Sequence, residues 1–278
     1  MSSSRTLSDH DDSSFFDYLL HRRPDLVPGN RDWNGTANPL WDPNRPHQIP
    51  QPPHGTTVLA LKYREGVVIA GDRRATEGFQ IAGRQMEKVF KIDGYSAMAI
   101  AGTAGPAIEM VKLFQTELEH YEKLEGVQLS YEGKANKLGQ MIKANLPMVF
   151  HGLIVIPIYV GYDHRRRDGR IFKYDITGGR YEESEYHAIG SGGKDARSTM
   201  REHYRKNLSE DETLKLALLS LYNAAEEDVG TGGPDLIRGI YPTAKVVNAT
   251  GITDVEDQRV AMIQSVDSEL DETGREQI

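Results

Sequence analysis

At Gly55 the chain changes from one kind of polymer to another. Residues 1–55 carry eight of its 13 prolines and both tryptophans, Trp33 and Trp41, yet no lysine and no glutamate. Polar, proline-rich sequence without a hydrophobic period cannot bury enough apolar surface to offset chain entropy. The stretch is therefore expected to be irregular, either a disordered tail or a removable pro-segment. Its few anchors are the two tryptophans and Phe15, Phe16, Tyr18, Leu19 and Leu20, which suit a short docking helix. A folded domain has to be built from residues 56–278, of which the acidic end beyond Arg259 is expected to fray.

From Thr56 onward the patterning is regular. Thr57–Tyr63 and Val67–Asp72 read as strands about a Glu65-Gly66 turn, and Lys88–Ile92 with Ser96–Ala101 as a second hairpin about Asp93-Gly94. A helix is expected from Pro106, with Ile108, Val111, Phe114, Leu118 and Tyr121 on one face and Gly126 as its stop. A second, Tyr131 to Leu146, aligns Ala135, Leu138, Ile142 and Leu146. Strands return at Leu153–Tyr162, Ile171–Asp175 and Tyr181–Tyr186. Helices then run from Lys194 to Asn207 and, after the capping box begun by Ser209, to Glu227. Ala244–Asn248 closes as a strand before a Thr250-Gly251 turn. Runs of strands alternating with runs of helices predict an α+β layered fold rather than a doubly wound parallel sheet.

Composition narrows the chemistry. The chain has no cysteine, which excludes a thiol nucleophile, a disulfide framework and thiolate metal sites. With 41 acidic against 33 basic side chains, a general nucleic-acid surface is not expected, and Arg165-Arg166-Arg167 reads as a solvated loop. The run from Gly152 to Gly161 is about half the ~20 residues that a membrane-spanning helix needs, so it reads as a buried strand. No basic start or apolar leader is visible at the N-terminus, making the cytoplasm the expected compartment. There is no Gly-x-Ser-x-Gly elbow, P-loop, His-Glu-x-x-His or dinucleotide fingerprint, and the nine histidines lack metal-ligand spacing.

The junction His54-Gly55-Thr56-Thr57 offers a different chemistry. A threonine hydroxyl needs a base, and a threonine at a chain start carries one in its own α-amine, whose pKa of roughly 7.7–8.0 leaves a neutral fraction at neutral pH. Cleavage between Gly55 and Thr56 would create that amine. Alone, the tripeptide Gly-Thr-Thr reads first as no more than a strand entry.

Further motifs stand in register with it: Thr56-Thr57-Val58-Leu59-Ala60, Gly71-Asp72-Arg73-Arg74-Ala75-Thr76, Glu87-Lys88-Val89-Phe90 and Ala101-Gly102-Thr103-Ala104-Gly105. Together they resemble the proteasome β-subunit family. Glu119 to Gly126, Thr231-Gly232-Gly233-Pro234-Asp235 and the long leading segment resemble its actinobacterial 20S core members. The likeness spans Thr56 to about Val260. It implies the N-terminal-nucleophile hydrolase fold, a four-layer αββα sandwich with two antiparallel sheets between helix layers.

The resemblance also implies roles. Thr56 would be the nucleophile, with Asp72 16 positions and Lys88 32 positions later as its acid and lysine. Gly102 would supply an oxyanion donor, and Ser191, Asp228 and Thr231 would support the amine, Thr231 standing where many relatives have serine. Ala75, Met86, Ile100 and Ala104 would shape an apolar pocket favouring large hydrophobic residues, and backbone near Thr76 and Gly102 would pair with an extended substrate. The implied activity is threonine-type endopeptidase, self-processed at Gly55–Thr56, needing neither metal nor other cofactor. Implied partners are β subunits in two stacked heptameric rings, α-subunit rings, a ring ATPase and unfolded polypeptides tagged by a small ubiquitin-like protein, with no nucleic acid or membrane. Weaker alternatives are an inactive ring component, a small-molecule amidase of the same fold, the simpler two-ring bacterial threonine protease and an α-type subunit.

Overall fold

A computed structural model describes residues 55–77 and 80–263, all of which fall in one unit of the chain. The leading-segment anchors and the end of the acidic tail lie outside the described residues. Two five-stranded antiparallel sheets form the framework. In the first, β1 (Thr57–Tyr63) pairs with β2 (Gly66–Gly71) from Val58 opposite Gly71 to Tyr63 opposite Gly66. A ribbon of β3 (Ala75–Glu77) and β4 (Gln80–Gly83) follows. The second sheet runs β5 (Val89–Lys91), β6 (Ser96–Gly102), β7 (Val155–Asp163), β8 (Asp168–Tyr174) and β9 (Arg180–Glu183) in sequence order. Returning strands complete the first sheet: β10 (Tyr186–Gly190) flanks β1, while β11 (Thr243–Asn248) and then β12 (Gly251–Asp254) extend it beyond β2.

The helices named among the described residues are α1 (Ala104–Glu125), α2 (Tyr131–Ala144), the single turn α3 (Leu146–Val149), α4 (Gly193–His203) and α5 (Glu210–Glu227). Residues 257–263 form one more short helical stretch. Alternation along β1 explains the layering. Val58 and Ala60 point into a core shared with Val89, Ala97, Ala99, Ile158 and Ile171 of the second sheet. Leu59 and Leu61 point the other way, against Ala196 and Met200 of α4 and Leu214, Leu218 and Leu221 of α5. On the far side, Met98, Tyr159 and Phe172 pack against Phe114 of α1 and Leu138 of α2. The expected αββα sandwich is thus present. Because β1 is covered on both faces, a one-residue slip would exchange its leucine and valine–alanine faces, which pins its register.

Several expectations shift locally. α1 begins two residues before Pro106, since a first-turn N–H needs no intrahelical partner and proline is tolerated there. Its buried stripe is Ala107, Met110, Val111, Phe114 and Leu118; Ile108 and Tyr121 are exposed. The stretch Tyr181–Tyr186 is not one strand but the end of β9 and the start of β10, which belong to different sheets. The second helix ends at Ala144 rather than Leu146, and α4 ends at His203 rather than Asn207, whose φ of 63° is not helical. Gly126 and the Ser209–Glu212 capping box act as expected.

A buried cation also joins α2 to the second sheet. Arg170, 2% exposed, forks onto both oxygens of Glu182 at 2.7 Å and reaches Glu132 at 2.8 Å and Asp163 at 3.0 Å.

Candidate active site

Thr56 sits at the mouth of β1, buried, with the chain on either side of it already committed to hydrogen bonds. Its carbonyl accepts from the N–H of Ser191 at 2.9 Å, and the carbonyl of Thr57 accepts from the N–H of Asp72 at 3.1 Å. The β1–β2 turn is short, so the end of β2 returns beside the start of β1 and delivers Asp72 there.

Asp72 is fully buried, and both its oxygens are spoken for. Oδ1 accepts from Thr57 N at 2.8 Å and Lys88 Nζ at 2.7 Å; Oδ2 accepts from Arg74 N and Gly232 N, each at 2.9 Å. Lys88, 4% exposed, precedes β5 and is held by pairing of its carbonyl with the N–H of Ile100 at 3.0 Å. Burial pushes its ammonium below the ordinary lysine value, and the charge and hydrogen bond of Asp72 oppose that shift. The result is a cation that gives up a proton more readily than a solvated lysine does.

On the other side of Thr56, Ser191 follows β10 and Asp228 follows α5. The N–H of Thr56 donates to Ser191 Oγ at 3.2 Å, and Ser191 Oγ donates to Asp228 Oδ2 at 2.5 Å. Thr231 Oγ1 donates to the same carboxylate oxygen at 2.5 Å, while Gly230 N donates to Oδ1 at 3.1 Å.

The bond before Thr56 is gripped from both ends. Gly55 N donates to Thr76 Oγ1 at 2.7 Å, and Lys88 Nζ lies 3.4 Å from the Gly55 carbonyl oxygen as its donor. A Cβ on Gly55 would fall 2.0 Å from Gly230 Cα, so only a residue without a side chain fits beneath the 228–233 loop.

The expected residues therefore fall into two groups. Thr56, Asp72, Lys88, Thr76, Ser191, Asp228 and Thr231 share one connected set of hydrogen bonds around the Gly55–Thr56 peptide. Gly102, Ile100, Ala75, Met86 and Ala104 are placed by the backbone. Ile100 pairs with Lys88, Gly102 lies two residues further along β6 at φ 127°, and Ala104 opens α1. Met86 N donates to the Arg73 carbonyl at 3.0 Å, and Ala75 opposes Gly83. A Cβ on Gly102 would sit 2.0 Å from the Ile154 carbonyl oxygen, and its φ admits glycine in any case. An open groove of about 420 Å³ runs alongside, lined by Arg73, Arg74, Arg84, Gly232, Leu236 and Ile237 among others; the apolar quartet is not part of its wall.

Sequence reasoning missed Thr57, Arg74 and Gly230. Arg74 Nη1 donates to the Val229 carbonyl at 2.9 Å and steadies the 228–233 loop. The doubled threonine and the Asp-Arg-Arg run were visible, but which of their members face inward is a matter of tertiary packing. Among the described residues no cluster of three or more histidine, aspartate or glutamate side chains is arranged to hold a metal ion.

An αββα sandwich with a buried threonine, carboxylate and lysine at the mouth of a central strand has the architecture of the N-terminal-nucleophile hydrolases. The family described as "Proteasome subunit" matches residues 53–236. "Proteasome subunit beta" of Acidimicrobium ferrooxidans is 54% identical over 226 residues, covering 81% of this chain and 82% of that one. The protein of the same description from Streptomyces griseus is 51% identical over 251 residues, covering 90% and 86%. The one from Acidothermus cellulolyticus is 48% identical over 252 residues, covering 89% and 83%. The chain belongs to the proteasome subunit family.

Proposed function

We propose that the chain is the catalytic β subunit of a proteasome core particle, a threonine endopeptidase that makes its own active site by cutting between Gly55 and Thr56. The observation that carries this reading is the convergence on one peptide bond. Lys88 faces the Gly55 carbonyl oxygen from 3.4 Å, and Ser191 receives the Thr56 N–H at 3.2 Å. In self-cleavage Thr56 Oγ1 bonds to the Gly55 carbon, the C–N bond breaks, and the nitrogen leaves with a proton as the α-amine. Water then hydrolyses the ester. The Lys88 ammonium favours the negative charge that develops on the Gly55 oxygen.

Residues 1–55 are then a pro-segment and residues 56–278 the working domain. Against substrate, the freed amine takes the Thr56 hydroxyl proton, Lys88 keeps that amine from holding a proton too tightly, and Asp72 holds Lys88 in place. Gly102 N–H serves the oxyanion. Backbone near Thr76 and Gly102 pairs with an extended polypeptide as an added strand. Ala75, Met86, Ile100 and Ala104 receive a large hydrophobic residue before the cut bond.

As a family member the chain assembles with other proteasome subunits. The finer reading is two stacked heptameric β rings between α rings, fed in the cytoplasm by a ring ATPase with polypeptides tagged by a small ubiquitin-like protein. No helix among the described residues is long and apolar enough to cross a membrane.

Intact mass of the parent and of Thr56→Ala tests the reading. The parent is expected to lose residues 1–55 and the variant to keep them. An unprocessed parent that hydrolyses peptides would overturn the mechanism, and faster cleavage after arginine than after leucine or tyrosine would overturn the pocket assignment.

A further inference from the structure

Thr57 touches both halves of the site. Its N–H donates to Asp72 Oδ1 at 2.8 Å, and its Oγ1 lies 3.1 Å from Gly192 N and 2.6 Å from Thr231 Oγ1. A backbone N–H can only donate, so Thr57 Oγ1 is the acceptor from Gly192. An ionised carboxylate can only accept, so Thr231 gives its single proton to Asp228 Oδ2 and has to receive one from Thr57. Ser191 gives its proton to the same oxygen of Asp228. What Ser191 Oγ turns toward the Thr56 nitrogen is therefore a lone pair. The chain of donors runs one way: Gly192 N–H, Thr57, Thr231, Asp228. A Cβ on Gly192 would fall 2.6 Å from Thr57 Oγ1 and 2.7 Å from Thr231 Oγ1, so the two hydroxyls fill the space a side chain there would need.

We infer that Thr57 is a positioning residue: its hydroxyl, oriented by Gly192 N–H, holds Thr231 and Asp228 so that Ser191 accepts from the Thr56 nitrogen and never donates to it. The inference rests on the reading of Thr56 as nucleophile. Its chemical point is the lone pair of the freed amine. A serine that accepts N–H leaves that lone pair open to the Thr56 hydroxyl proton. One that donates would occupy it and disable the base while leaving the substrate site untouched.

The test measures kcat and KM of processed, assembled particles carrying Thr57→Val, Thr57→Ser, Thr231→Val or both valines. Thr57→Val is expected to lower kcat about tenfold with KM within about twofold, and Thr57→Ser to recover most of the rate. Thr57 and Thr231 act as one relay, so the double variant should be no slower than Thr231→Val alone. A Thr57→Val rate equal to the parent's, a loss confined to KM, a serine variant no better than valine, or additive losses would each overturn the inference. If Thr57→Val does not assemble, the other two singles decide. Parent-like kcat for Thr57→Ser beside a kcat-only loss for Thr231→Val upholds it, and equal losses refute it. Activity surviving in Thr56→Ala would sink the nucleophile reading itself and is read separately.

Discussion

Asp72→Asn and Lys88→Met remove the two members of one buried ion pair, yet they should not cost the same. Asp72 receives two donors on each oxygen, three of them backbone N–H groups. Asparagine turns one oxygen into an NH2 group, and in either orientation two donors then face a donor. Two unsatisfied buried groups cost about 2–6 kcal/mol, and Lys88 also loses its counter-charge, so a total near 5 kcal/mol is expected. Methionine at 88 leaves the carboxylate with its three N–H donors and removes an ammonium that burial already disfavours. Its cost should fall near 2 kcal/mol, below the ~3–5 kcal/mol of an ordinary broken buried pair. At roughly 2–4 °C per kcal/mol for a domain of this size, the melting point should fall by about 4–8 °C for Lys88→Met and at least twice as far for Asp72→Asn. Thermal unfolding of the full chain in a Thr56→Ala background measures this with processing silenced. In the active background both variants should lose at least ~100-fold in peptide hydrolysis. A Lys88→Met variant that melts as low as Asp72→Asn would refute the argument that backbone donors, rather than the lysine, hold the carboxylate.

Two further predictions concern the scaffold. Arg170→Ala should cost about 3 kcal/mol, because the largely buried Asp163 loses its cation and Glu182 its fork while Glu132 keeps Arg180 and Glu182 a longer pair with Arg166, and Arg170→Lys should recover less than half of it because lysine cannot fork onto Glu182; urea unfolding midpoints check both. Burial, then the nearby charges of Lys173 and Arg197, push the His187 imidazole down to about 4, with Glu183 acting the other way. Between pH 6.5 and 4 the folded chain thus binds fewer protons than the unfolded one, so stability should fall as pH drops through that window, by on the order of 2 kcal/mol given partial exposure. Unfolding of His187→Gln across that range should show a flatter profile.

What could be read from the sequence followed from periodicity and spacing. β1, β2 and β6 are buried on both faces and stand out as apolar runs; the Ser209 capping box and Gly126 mark helix ends by local chemistry. The β3–β4 ribbon was not legible, being short and largely exposed at Gln80–Ala82. Nor was the break at Ser184-Glu185, where half-exposed neighbours on both sides read as one strand although the chain is crossing between sheets. The Arg170 cluster depends on partners up to 38 residues away, which no local pattern reveals. In the site, Thr56, Asp72 and Lys88 were marked by register among motifs. Thr57 and Arg74 act through contacts 174 and 155 residues distant.

A strand paired on both sides also changes what a cut at its mouth would release. Most new chain ends gain freedom when the bond before them breaks. Here Thr56 and Thr57 are tied through their own carbonyls to Ser191 and Asp72, and β1 is fixed by its two-faced burial. Scission would liberate the upstream residues while leaving the downstream terminus where folding had put it. The nucleophile would begin its working life without any step of ordering, its conformational entropy having been surrendered when the sheet formed rather than at each encounter with substrate.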